Sequence, residues 1–235
     1  MNALDDRLRA LAKELGADLY GVADLTPAQK AMREWGGEMI AGYPRSISVG
    51  IRLMDAIVDA LPTHQRLAVL NYRKHAYDVI NDRLDEIVSR LASALQHEGY
   101  RAFPIAASST TDSERLYGTF SHKMGARLAG LGWVGKSCLL ITPEYGPRVR
   151  WATILTEAPL TPTGQPMEVR CGDCRECVEI CPAQAFTGRP FQEDEPRERR
   201  YDAHACLRYL QSREAQVGAS VCGLCLYVCP YGRRK

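Results

Sequence analysis

Apolar positions recur at helical spacing in two stretches of the chain. Leu4, Leu8, Leu11, Ala12 and Leu15 line one face of the N-terminal segment, and Gly16 supplies a natural stop. Val79, Ile80, Leu84, Ile87, Val88, Leu91 and Leu95 make residues 77–98 the clearest helix. Residues 27–39 also read as helical, and 53–60 as a short helix or turn. A further helix is expected after the polar run 108–115, capped by Asp112 or Ser113 and running toward Leu128. Strand-like patterning marks 18–23, 46–51, 67–70, 100–105, 138–142 and 149–156. The last two are expected to pair across a Pro143–Pro147 turn. Segment 158–166, with its three prolines and one glycine, stops regular structure. The pattern predicts an α+β chain with an α/β cofactor- and substrate-binding domain over 1–160 and a small domain over 166–235.

Charge changes this picture little. The 30 basic and 28 acidic residues nearly cancel over 235 residues, which gives no general attraction to nucleic acid or membrane. The basic groups Arg197–Arg200 and Arg233–Lys235 read as solvated surface. The N-terminal helix carries charge throughout and lacks the apolar centre of a signal peptide. No stretch has the apolar length to span a bilayer, so no membrane partner is expected.

Cysteine adds the chemistry. Cys171-x2-Cys174-x2-Cys177-x3-Cys181-Pro182 is followed by Cys206 and by Cys222-x2-Cys225-x3-Cys229-Pro230. Thiolates are soft ligands suited to iron–sulfur clusters. In two-cluster ferredoxins the cysteine before proline serves the other cluster. The spacing therefore assigns Cys171, Cys174, Cys177 and Cys229 to one [4Fe–4S] cluster and Cys181, Cys206, Cys222 and Cys225 to the second. Structural zinc and disulfides are the competing readings. Zinc sites rarely pack three cysteines into seven residues, and disulfides suit a secreted chain. So many ligating thiols point to the reducing cytoplasm. Cys138 stands alone in an apolar run and reads as a small packing residue.

The block AGLGWVGKSCLLITPEYG (residues 129–146), followed by CGDCRECVEICPAQAF, CLRYL and CGLCLYVCPYG, resembles the epoxyqueuosine reductases, cobalamin- and iron–sulfur-dependent enzymes related to reductive dehalogenases. The resemblance implies a nitroreductase-like cobalamin domain with an appended two-cluster ferredoxin-like domain. It implies an oxidoreductase in which a ferredoxin or flavodoxin feeds two [4Fe–4S] clusters that reduce a bound corrinoid, which then cleaves a C–O or similar bond. It casts Asp112 as proton donor, against the alternative of a cap. Gly130, Gly132 and Gly135 become an approach to the macrocycle or a tight turn, and Trp133 a stacking or core residue. Lys136 becomes a phosphate partner or a surface lysine, and Tyr72 a pocket residue. The substrate is expected to be a small molecule or a modified nucleoside. The chain resembles the short stand-alone relatives without a C-terminal helical-repeat extension, which places tRNA in doubt as a partner. Two rival functions stay open: a reductive activator of a corrinoid protein, and a two-cluster electron-transfer or corrinoid-binding module without turnover.

Overall fold

A computed structural model describes residues 3–233; Met1, Asn2 and the basic Arg234 and Lys235 of the expected tail lie outside the described residues. In chain order the elements are α1 (Ala3–Glu14), β1 (Leu19–Asp24), α2 (Gln29–Gly36), α3 (Glu38–Ala41), β2 (Arg45–Arg52), α4 (Asp55–Asp59), α5 (Arg66–Arg73), α6 (Ile80–His97), β3 (Ala102–Ile105) and α7 (His122–Leu128). Then follow β4 (Trp133–Val134), β5 (Leu140–Ile141), β6 (Val149–Thr156), α8 (Glu176–Glu179), α9 (Ala203–Val217) and α10 (Leu224–Tyr227). The mixed α+β class read from the pattern is the class observed.

The chain divides into two compact units that interleave along the sequence. The first comprises the residues up to Ile51 with Ile80–Leu131 and Arg150–Met167. Its sheet runs β1-β2-β6-β3. Antiparallel β1 and β2 pair from Leu19↔Gly50 to Asp24↔Arg45, and antiparallel β3 and β6 from Ala102↔Thr156 to Ile105↔Thr153. The apolar face of α6 is fully used: Ile80, Leu84, Leu91 and Leu95 have no exposed surface. Each such side chain contributes roughly 1.5–3 kcal/mol by burial. The helix packs on β3 and α1, which buries its own Leu8 and Ala12. A second cluster joins Leu25, Met32 and Ile40 to Ile105, Phe120 and Leu155.

The second unit comprises Arg52–Val79, Gly132–Val149 and the residues from Glu168 onward. It holds α4, α5, the β4–β5 hairpin and α8, α9 and α10. Helix α10 packs on α8 and α4, and α5 packs on α9.

Three local expectations fail for physical reasons. Residues 67–70 are helical, not a strand. In α5, Val69 and Tyr72 are buried three residues apart while Leu67 is 71% exposed, which is the helical period over too short a run to be recognised. The helix after the polar run begins only at His122, because Ser121 caps it by accepting from Met124 N. Strand β5 pairs with β4, not with β6, which lies in the four-stranded sheet. The expected helix over 27–39 is present as α2 and α3, divided at Gly37.

Candidate functional site

The first cysteine loop turns tightly: Cys174 N donates to Cys171 O at 3.0 Å. Cys177 then rides on α8, and Cys181 follows its end. Cys222 and Cys225 flank the start of α10, and Cys229 follows its last turn. Cys206 sits in the first turns of α9 because Asp202 is that helix's cap, accepting from Ala205 N at 2.8 Å. A short ladder places that cap. Asp202 N donates to Ala185 O and Thr187 N to Arg200 O, and the rings of Phe186 and Tyr201 stack at 5.2 Å.

Electrostatics sorts the thiols into two groups. Burial pushes the Cys177 thiol up to about 12, and Cys171, Cys229 and Cys174 add to the rise. Burial also raises Cys229, to about 11, with Cys171 and Cys174 adding and the Tyr231 and Gly232 amides opposing. Cys225 is raised by burial, then by Cys222, Cys206, Cys181 and, least, Cys177. Burial raises Cys206 too, while the hydrogen bond from Tyr201 opposes it. Cys177, Cys229, Cys225 and Cys206 thus resist ionising beside their neighbours, the arrangement that a cationic metal centre relieves. Cys177 and Cys225 are in reach of each other, so the two groups adjoin.

None of the nine cysteines is joined in a disulfide. Among the described residues no three His, Cys, Asp or Glu side chains converge on a single metal ion. A [4Fe–4S] cubane asks for something else, four thiolates each meeting its own iron. The chemistry of this donor set fits two such clusters.

The other candidate residues are engaged within the chain. A Cβ on Gly132 would stand 2.2 Å from Ile141 O, and one on Gly135 2.8 Å from Ile141 Cγ1 and 3.6 Å from Cys171 Sγ. Gly130 lies in the other unit, where a Cβ would stand 2.9 Å from Gly164 Cα. Trp133 is fully buried, edge-on to Tyr231 at 4.8 Å, and its indole N–H has no hydrogen-bond partner. Lys136 is 8% exposed, and its Nζ donates to Gly172 O at 2.7 Å and Cys174 O at 3.0 Å. Tyr72 is buried edge-on to Tyr77, and its ring lies 3.0 Å from a Cβ built on Gly223. These six residues are committed to packing within the chain, which does not fit a ready-made corrinoid cradle. Asp112 lies in the first unit, half-exposed. Its Oδ1 accepts from Glu114 N at 3.0 Å and Arg115 N at 2.8 Å, so it closes a turn rather than capping a helix.

Several supports were not expected. Tyr231 donates from its hydroxyl to Arg170 O at 2.9 Å, joining the residue before Cys171 to a residue just after Cys229. Arg148, 2% exposed, bonds Asp55 at 3.0 Å and Asp59 at 2.6 Å. Tyr201 and Asp202 frame Cys206, and the aspartate four residues before that cysteine is visible in the sequence.

Residues 170–232 match the model of the 4Fe-4S double cluster binding domain. An epoxyqueuosine reductase of Bacillus anthracis is 26% identical over 258 residues, covering 94% of this chain and 62% of that protein. The chain is similar to the epoxyqueuosine reductases along nearly its whole length. It spans about three fifths of the length of the curated relatives it matches. Its fold is that of a reductive dehalogenase described in terms of B12-dependent dehalogenation, with TM-score 0.66 and 21% identity over 97% of this chain and 31% of the other. It is equally that of an epoxyqueuosine reductase solved with an epoxyqueuosine-modified tRNA-Tyr stem loop, with TM-score 0.63 and 18% identity over 97% of this chain and 65% of the other. That complex overturns the expectation that tRNA is a doubtful partner: the relative holding the stem loop shares the fold of nearly all of this epoxyqueuosine reductase-like chain. Among the described residues no helix is long and apolar enough to cross a membrane.

Proposed function

We propose that this chain is a two-cluster iron–sulfur reductase acting on a modified nucleoside in a tRNA stem loop. In this reading Cys171, Cys174, Cys177 and Cys229 hold one [4Fe–4S] cluster, and Cys181, Cys206, Cys222 and Cys225 hold the other. The observation that carries it is the gathering of the thiols into two adjoining groups of those members. Adjacent clusters pass electrons singly, and their potentials reach the low values that reductive cleavage requires. The approach of Cys177 to Cys225, close enough for one to raise the other, is the proposed crossing point. So many iron-bound thiolates call for a reducing compartment such as the cytoplasm.

Cobalamin is proposed as the second cofactor on the likeness to the B12-dependent dehalogenase; when bound it would supply the two-electron step. Asp112 is the proposed acid, since its carboxylate is half-exposed on a turn and can meet a leaving oxygen. The test is anaerobic reconstitution followed by turnover of a stem loop carrying epoxyqueuosine, with cobalamin binding read from visible absorbance. Product formation that depends on both iron–sulfide and cobalamin supports the reading. Full cluster loading and bound cobalamin without product would remove the substrate assignment.

A further inference from the structure

Lys136 is a buried cation with an unusual address. Its stem comes from the loop after β4, and its ammonium ends on the carbonyls of Gly172 and Cys174, inside the first cysteine loop. A Cβ added to its neighbour Gly135 would stand 3.6 Å from Cys171 Sγ, so the backbone that carries Lys136 passes close to that sulfur. At 8% exposure the charge is screened far less than that of Asp173, which is exposed in the same loop.

We propose that Lys136 is a positioning residue that fixes the first cysteine loop and raises the reduction potential of the cluster on Cys171, Cys174, Cys177 and Cys229. This rests on the two-cluster reading above. Reduction adds one negative charge to a cubane, and a fixed positive charge beside it in a poorly screened site stabilises the reduced form. The second group of thiols lies near Arg213 and the Tyr201 hydroxyl instead, so the effect is confined to one cluster.

The experiment is an EPR-monitored redox titration of the anaerobically reconstituted full chain as wild type, Lys136→Met and Lys136→Arg. In Lys136→Met one midpoint falls, so that the reduced-to-oxidised ratio of that cluster at the wild-type midpoint drops about tenfold, equivalent to about 59 mV for one electron. The other midpoint holds, and Lys136→Arg stays with the wild type. Both midpoints moving together, neither moving, or Lys136→Arg moving as far as Lys136→Met overturns the proposal. If Lys136→Met binds only half the iron, Lys136→Arg decides: full iron with an unmoved potential supports it, and a moved potential overturns it. A wild type that does not bind about eight irons fails the two-cluster reading instead, and iron analysis tells the two failures apart.

Discussion

The two groups of thiols are supported by different means. Around Cys171 and Cys229 the supports reach in from residues 132–149: the Lys136 ammonium on the loop carbonyls, Trp133 against Tyr231, and Gly146 against Gly232. At Gly146, with φ of +56°, a Cβ would stand 2.3 Å from Gly232 N, so only glycine lets these backbones meet. Around Cys206 and Cys222 the supports are a helix cap and aromatic faces: Asp202 on α9, Tyr201 on Cys206, and Tyr72 closing on Gly223. The Lys136 ammonium on the loop carbonyls of one group of thiols, and Arg213 with the Tyr201 hydroxyl near the other, give the two groups different electrical surroundings. Arg148 serves both regions, bonding Asp55 and Asp59 of α4 while its stem packs 3.1 Å from a Cβ built on Gly232.

The largest expected effect divides the two groups outright. Cys177→Ala removes one cluster and Cys222→Ala the other, so each variant binds about four irons where the wild type binds about eight. Retention of full iron by either variant would break the assignment. Next is Gly223→Val, where φ is +79° and a Cβ would meet Leu61 Cδ1 at 2.7 Å and Tyr72 at 3.0 Å. Overpacking together with backbone strain costs about 3 kcal/mol. In this variant the cluster on Cys222 is lost before the one on Cys171, and stepwise iron release on chelator challenge reads the order.

The first unit supplies a control remote in kind from both clusters. His122 Nε2 faces Ala106 O at 2.9 Å and Nδ1 faces Thr153 Oγ1 at 2.8 Å. A carbonyl only accepts, which assigns the ring proton to Nε2. Burial holds this imidazole down at about 4, against the hydrogen bond to Ala106 that works the other way. Its folded value is depressed, so its contribution is complete above the unfolded value near 6.5 and is lost as pH falls through about 4. The loss is at most about 3 kcal/mol. Urea melts of wild type and His122→Gln should differ in slope against pH within that window and run parallel above it. Parallel curves throughout would show that the imidazole titrates normally. The smallest effect is Asp202→Ala, about 1 kcal/mol from the lost cap. It should loosen Cys206 and speed iron loss from the second cluster alone; equal loss from both would dissolve the contrast between the supports.

Much of the fold is legible locally. The periodic faces of α1 and α6 identify themselves because one buried face imposes a period, whereas β2 and β6 are buried along nearly their whole length and show as short strand-forming runs. Residues 67–70 deceive because LAVL is too short to display a period, and burial of Val69 and Tyr72 settles it as helix. The cysteine spacing suggests two groups of four because a cubane dictates its ligand count. The supports are less legible. Lys136 looks like a surface lysine or an anion site until Gly172 O and Cys174 O are seen to hold it. Likewise, that 52–79 and 132–149 join the cysteine-bearing unit is a tertiary pairing that no local pattern encodes.

The most direct test of the account is iron and acid-labile sulfide analysis of the anaerobically reconstituted chain, with EPR of the reduced protein. The account predicts about eight irons and eight sulfides per chain, with signals of two magnetically coupled cubanes. About two zincs, or about four irons giving an uncoupled signal, would contradict it.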